Sequence, residues 1–169
     1  MTDTLYTALV VREDAPKTFS QAIEQRQLSE LPAGDVLIKV VYSSLNFKDA
    51  LSATGNPGVS RNFPHSPGID AVGEVVESSD VNLPKGMQVV VTGFDLGMNT
   101  AGGLAEYVRV PANWVVPLPA HLTAKESMGY GTAGLTAALM VNALLENDLI
   151  PSGGEILVTG ATGGVGSVA

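Results

Sequence analysis

The stretch with the most chemical content is Val158-Thr159-Gly160-Ala161-Thr162-Gly163-Gly164-Val165-Gly166. An apolar run, Glu155 to Gly160, leads into a cluster of glycines where a helix is expected to open. A buried strand, a tight glycine turn and a helix N-terminus together make a cradle for phosphate. The glycines let backbone approach a pyrophosphate, and the helix start supplies free N–H donors and partial positive charge. In the spacing G-x-G-x-x-G the three glycine positions hold Ala161, Gly163 and Gly166, so the first is substituted. Ser167 follows Gly166 with no lysine between, which excludes a Walker-type P-loop. A second polar group, Asn46 and Asp49, follows directly on the most apolar strand of the chain. An amide can donate to a developing oxyanion, and a carboxylate can relay a proton or orient the neighbouring Lys48. The plainer alternative is that Asn46 caps a short helix over Phe47–Ala53.

These residues need a scaffold, and the pattern supplies one. Val36-Leu37-Ile38-Lys39-Val40-Val41-Tyr42 is the strongest strand signal. Further strands are expected at Leu5–Val11, Phe19–Leu28, Ala71–Glu77, Gln88–Thr92, Ala105–Val110 and Trp114–Pro117, with Trp114 in the core. Short strands separated by turn signals indicate an antiparallel barrel or sandwich. The character changes near His121. Thr123 with Glu126 has the capping-box spacing for a helix start, and a second helix is expected from Ala133 to Asn147 before Pro151-Ser152-Gly153-Gly154 breaks it. The expected organisation is therefore a β domain over residues 1–125, then connecting helices and the opening of an α/β unit over 126–169.

Composition narrows the classes. The 169 residues are 45% hydrophobic and 15% charged, with 9 basic against 17 acidic side chains and a net charge of −8. Such a chain can build a core, and without a basic stripe neither nucleic acid nor an anionic membrane surface is an expected partner. The chain has no cysteine, which excludes disulfides, thiolate–zinc sites and a thiol nucleophile. The longest mostly apolar window, Ala133–Leu145, has 13 residues where a membrane span needs about 20, so it is expected to be a buried helix. With no secretory signal at the start, a cytoplasmic location is expected.

Four segments converge: Ser43–Leu51, Phe63–Asp70, Gly131–Ala137 and Val158–Ser167. Together, and in this order, they resemble the acrylyl-CoA reductase group of quinone-oxidoreductase-like medium-chain dehydrogenases/reductases. The run Ser43-Ser44-Leu45-Asn46-Phe47-Lys48-Asp49-Ala50-Leu51 carries most of that likeness. Thr159-Gly160 with Gly164 and Gly166 also satisfies the turn of short-chain dehydrogenases, but in that family the turn comes near the N-terminus, and here 158 residues precede it. The resemblance implies a mostly β GroES-like domain followed by the start of an α/β Rossmann domain. A relative of full length would be about twice as long, a homodimer, with NADPH as hydride donor. The acceptor would be an activated C=C bond of an acyl-CoA, or alternatively a quinone. The 169 residues alone would then turn over little or not at all. A non-enzymatic GroES-like module used for binding or assembly is the alternative of another class.

The resemblance also assigns residues. Zinc-dependent relatives carry a Cys ligand where Asn46 stands and a His ligand where Ile69 stands, so the chemistry implied is zinc-free. Asn46 and Asp49 would lie at the catalytic floor. Phe47 replaces a typical tyrosine and would stack on the cofactor without the hydroxyl. Thr132 would face the nicotinamide, or else cap a helix. Thr162, Gly163, Gly164 and Val165 would hold the pyrophosphate. His65 is expected to be an ordinary loop residue, and His121 and Arg61 to be solvated.

Overall fold

A computed structural model describes residues 4–169 of the chain. Two long strands, β1 (Leu5–Ala15) and β2 (Thr18–Gln27), pair as an antiparallel hairpin. Five more form a second antiparallel sheet: β3 (Val36–Tyr42), β4 (Asp70–Ser78), β5 (Gln88–Thr92), β6 (Tyr107–Val110) and β7 (Val115–Pro117). Their order across the sheet is β6-β3-β4-β5-β7. Backbone hydrogen bonds join the two sheets. Leu9 N–H donates to the Leu104 carbonyl and Glu106 N–H to the Thr7 carbonyl, while Ala8 bridges Ala105 and Val11 bridges His65. The hairpin thus closes one side of the larger sheet, the barrel-like arrangement that the strand spacing indicates.

The continuous apolar run at the start of β3 has a physical cause. Val36 and Ile38 enter a core with Val75, Val89, Val91, Leu96, Val108 and Val110. Leu37, on the opposite face, packs with Tyr6, Ala8, Val10 and Leu31. A strand covered on both faces reads as unbroken hydrophobicity rather than alternation. Trp114 does not lie in a strand. It ends a 3-10 turn at Ala112–Trp114, half-buried at the core margin and stacked on Phe94 with ring centroids 5.2 Å apart.

Helix α1 spans Phe47–Ala53. The two expected helices at the end of the β domain form one element, α2 (Ala124–Glu146), broken at Gly131, whose φ of 48° and ψ of −148° are not helical. Thr123 caps its start as the spacing predicts: Thr123 Oγ1 accepts from Glu126 N–H at 3.2 Å, and Glu126 Oε2 accepts from Thr123 N–H at 2.9 Å. The first limb and the start of the second bury Ser127, Met128, Gly131, Gly134 and Ala137, and α2 packs on β3, β4 and β5.

Two expectations fail in the last third. The window Ala133–Leu145 is not buried. Leu135, Leu139, Met140, Val141 and Leu145 are exposed, because among the described residues nothing covers that face. By length and mean hydropathy (1.3 over its best window) α2 passes for a membrane span, yet its small residues pack on the sheet. The segment Glu155–Gly160 forms no strand, since no described strand lies beside it, and the residues after the glycines form turns rather than an α-helix.

His65 also departs from expectation. It is buried, exchanges backbone hydrogen bonds with Val11, and its Nε2 lies 2.9 Å from the Gly97 carbonyl oxygen. A segment between two prolines reads as loop, and only the fold brings it to β1. Burial holds the imidazole pKa below its ordinary 6.5, partly offset by the Gly97 hydrogen bond and the Asp95 charge. The unfolded chain therefore takes the proton first as pH falls. The contribution to stability is complete above about pH 6.5 and declines below it, until the folded-state pKa is passed. Thermal melts between pH 8 and pH 5 are expected to show a steeper loss for the native chain than for His65→Gln; parallel curves would remove His65 from the account.

Candidate active site

The site is built around a carboxylate that the sequence reading passed over. Asp70 opens β4 and is fully buried. Its Oδ2 accepts from the Ser44 hydroxyl, from the Asn46 side-chain amide at 2.9 Å and from the Thr132 backbone N–H at 3.1 Å. Its Oδ1 accepts from Thr132 Oγ1 at 2.8 Å, and its backbone carbonyl from Ser43 Oγ at 2.7 Å. No lysine or arginine pairs with it among the described residues. A buried charge without a counter-ion must be held by hydrogen-bond donors, and four reach this carboxylate.

Thr132 N–H is available because of the kink. Gly131 interrupts α2, so the second limb has a helix N-terminus of its own, with unpaired N–H groups and partial positive charge. Asp70 satisfies the first of them. Thr132 is therefore not the capping residue: its hydroxyl donates to Asp70, and Asp70 takes the place of the cap. A side chain at Gly131 would put its Cβ 2.6 Å from Asp70 Oδ2 and 3.1 Å from Ser44 Oγ. Space and backbone angle both require glycine here.

The loop between β3 and α1 is fastened by the same group and by Asp49. Asn46 N–H donates to Asp49 Oδ2 at 2.7 Å, and Ile69 N–H to Asp49 Oδ1 at 2.9 Å. Asp49 is buried and ties the start of α1 to the residue before Asp70. It does not orient Lys48, which is exposed. The Asn46 amide nitrogen reaches both Asp70 and Ser44 Oγ, the latter at 3.0 Å, so one hydrogen is engaged by β4 and the other within the loop. Because a carboxylate only accepts, the amide must point its nitrogen there. Leu45 and Phe47 are 83% and 80% exposed. The Phe47 ring lies in no core and is free to meet a flat ligand.

The glycine turn lies against the second limb of α2. A Cβ on Gly164 would sit 3.5 Å from that of Ala133, the neighbour of Thr132. The turn closes on itself: Gly163 N–H donates to the Gly160 carbonyl at 2.9 Å, and a Cβ on Gly166 would lie 2.4 Å from that oxygen. The N–H groups of Thr162, Gly164, Val165 and Gly166 have no partner among the described residues. Open backbone N–H donors on a glycine-rich turn have the chemistry to meet a phosphate. Zinc does not fit. Asn46 presents a bound amide, Ile69 an alkyl group, and no cluster of three metal-binding side chains occurs among the described residues.

Of the residues nominated from sequence, Asn46 and Thr132 meet at Asp70, Asp49 braces Asn46 to the neighbouring Ile69, and Gly164 lies near Ala133. His121 and Arg61 are exposed, and Arg61 Nε donates to the Pro57 carbonyl at 2.9 Å.

The family model of the alcohol dehydrogenase GroES-like domain matches residues 32–120. The chain belongs to that family. An acrylyl-CoA reductase of Ruegeria pomeroyi is 45% identical over 166 residues, 98% of this chain and 50% of the relative. A chloroplastic quinone oxidoreductase of Triphysaria versicolor is 40% identical over 142 residues, 80% of this chain and 42% of the relative. Among solved structures, an oxidoreductase of Salmonella enterica in complex with NADP matches with TM-score 0.92 and 46% identity, over 96% of this chain and 50% of that one. A Bacillus subtilis protein with NAD bound matches equally well, with TM-score 0.92 and 46% identity over 97% and 50%. The chain spans about half the length of the curated relatives it matches. These relatives place the GroES-like chain in the medium-chain dehydrogenase/reductase superfamily, as the sequence motifs imply. Its fold is a mostly β GroES-like domain with a C-terminal helix that begins a Rossmann domain.

Gly131→Ala is expected to destabilise the fold by at least about 2 kcal/mol, because it forces a strained φ and drives a methyl group into Asp70. Urea titration against the native chain measures it; a change under about 0.5 kcal/mol would show that the kink tolerates a side chain.

Proposed function

We propose that this chain is the acceptor-side portion of a zinc-independent, NADPH-dependent reductase acting on an activated C=C bond, an α,β-unsaturated acyl thioester of the acrylyl-CoA kind. The observation that carries the reading is the joining of the Asn46 loop and the glycine turn through one kinked helix. The oxidoreductase relatives support it over a non-enzymatic module.

NADPH, when bound, supplies the hydride for the β-carbon of the acceptor. The chain's own residues bind and orient. The free N–H groups of Thr162, Gly164 and Val165 receive the pyrophosphate, and Gly163 leaves room for its approach. Phe47, open to solvent, offers a flat apolar face to the cofactor, and Leu45 beside it helps exclude water. Thr132, held by Asp70, would face the nicotinamide. Asn46 shares one amide hydrogen with Ser44, and a thioester carbonyl oxygen that develops charge competes for that hydrogen. Asp49 sets the position of this loop and transfers no proton in this reading, since both its oxygens accept from backbone. A cytoplasmic homodimer is the assembly that goes with it.

A quinone acceptor is the second reading, favoured by the exposed apolar pair Leu45 and Phe47. The test is NADPH oxidation by the complete protein that carries this chain, with acrylyl-CoA and with a benzoquinone, before and after a metal chelator. We expect acrylyl-CoA to be the better substrate, NADPH to be preferred to NADH, and the chelator to change the rate less than twofold. Residues 1–169 alone are expected to give almost no turnover. Faster quinone reduction selects the second reading, chelator inhibition overturns zinc independence, and no oxidation with either acceptor overturns the proposal.

A further inference from the structure

We propose that Asp70 is the positioning residue that couples the cofactor-side turn to the acceptor-side loop. The inference rests on the function proposed above, but its geometry does not. One carboxylate oxygen, Oδ2, receives donors from two separate parts of the chain. Ser44 and Asn46 belong to the loop after β3, and Thr132 belongs to the second limb of α2. Oδ1 adds a second bond to Thr132. On its other side that limb runs close to the glycine turn, where a Cβ added to Gly164 would lie 3.5 Å from that of Ala133. The path from turn to loop therefore runs Gly164, Ala133, Thr132, Asp70, Asn46: a close approach between Gly164 and Ala133, a peptide link to Thr132, and hydrogen bonds from there to Asn46.

The donors at Asp70 cannot be exchanged freely. All four are O–H or N–H groups, and the group that meets them has only lone pairs. If Thr132 moves with the turn, the carboxylate must follow or lose two bonds, and Asn46 and Ser44 are bonded to the same oxygen. Gly131 permits this close approach, and Asp70 is fully buried, so water cannot replace a lost partner without opening the site. Ser43, bonded to the Asp70 backbone, and Asp49, bonded to Ile69, keep the loop from following independently. Cofactor seated on the turn and acceptor held near Asn46 are thereby kept in one register, which is what hydride transfer needs.

Three variants test it in the complete protein. Thr132→Val removes the hydroxyl bond at nearly constant volume, and Thr132→Ser restores it. Asp70→Asn is the harsher companion, since an amide presents hydrogens to donors. Hydrogen exchange in residues 43–49 is expected to slow when NADP+ is added to the native protein and to Thr132→Ser, and not to respond in Thr132→Val. In NADPH oxidation, Thr132→Val is expected to lower kcat about tenfold with a larger deuterium isotope effect from 4-deuterated NADPH, while Thr132→Ser stays within about twofold of native. A merely structural role lowers the active fraction and leaves the isotope effect unchanged. If the native loop ignores NADP+, or if Thr132→Val keeps the native response and isotope effect, the coupling is overturned. If the native loop responds but no acceptor is reduced, the coupling stands and the reductase reading falls.

Discussion

A carboxylate buried without a cation imposes the tightest constraint in this molecule. Taking Asp70 out of water costs more than most single contacts return, so the surrounding backbone has to supply donors in the right places. It does so by breaking a helix. An unbroken α2 would bond the N–H of Thr132 to its own preceding turn. The kink at Gly131 frees that N–H and creates a second helix N-terminus, where a negative charge is favoured by about 0.3–1 kcal/mol at an exposed site and more when partly buried. The helix interruption and the acidic residue are thus one feature. Glycine at position 131, serine at 44 and threonine at 132 follow from it, since each touches Asp70 or makes room for it.

The same carboxylate divides the molecule into a part that is complete and a part that is open. On its β side every buried side-chain polar atom among the described residues has a partner, and the core strands cover each other on both faces. On its other side, α2 beyond Ala137 shows Leu139, Met140, Val141 and Leu145 to solvent. Met140, Val141 and Leu145, with Ile156, Leu157 and the glycine turn, line an apolar groove of about 1010 Å³. An apolar surface of this extent marks a place where other structure packs. A nucleotide-binding sheet of the kind proposed here would fill it and would give Ile156–Val158 neighbours to pair with. The glycine turn forms without them, because it depends on glycines and on bonds from Gly163 and Ser167 within a few residues.

Legibility in the sequence follows the range of the interactions. The strands were visible because apolar runs and turn residues are local signals; β3 and β5 lie where the pattern puts them. The cap at Thr123 and the short helix after Asn46 were visible for the same reason. Asp70 is not, although it ends the run Phe63–Asp70. Its donors lie 24 and 26 residues earlier and 62 residues later, and nothing in residue type shows that distant serine, asparagine and threonine converge. A signal did exist: an acidic residue inside Gly68-Ile69-Asp70-Ala71-Val72, where a strand about to be buried has no reason to carry charge unless that charge is bound. His65 was missed in the same way, by a bridge to Val11 across 54 positions. The strand at Glu155–Gly160 was over-read, because apolar residues qualify a segment for a sheet but only a neighbouring strand makes it one.

The loop after β3 illustrates how one scaffold can serve different chemistries. It holds a polar group at position 46 and a second residue at position 69 close to one another through Asp49, which binds the backbone of both. That brace uses only main-chain N–H groups, so it is indifferent to the side chains it positions. Where those side chains are thiolate and imidazole, the pair could ligate a metal. Here they are an amide and an alkyl group, and the amide turns inward to Asp70. What the loop presents is then an amide whose orientation is set by a buried carboxylate. Such an arrangement depends on the register between loop and helix, because Asn46 and Thr132 share one carboxylate oxygen and a hydrogen bond weakens as its distance and angle leave their preferred range.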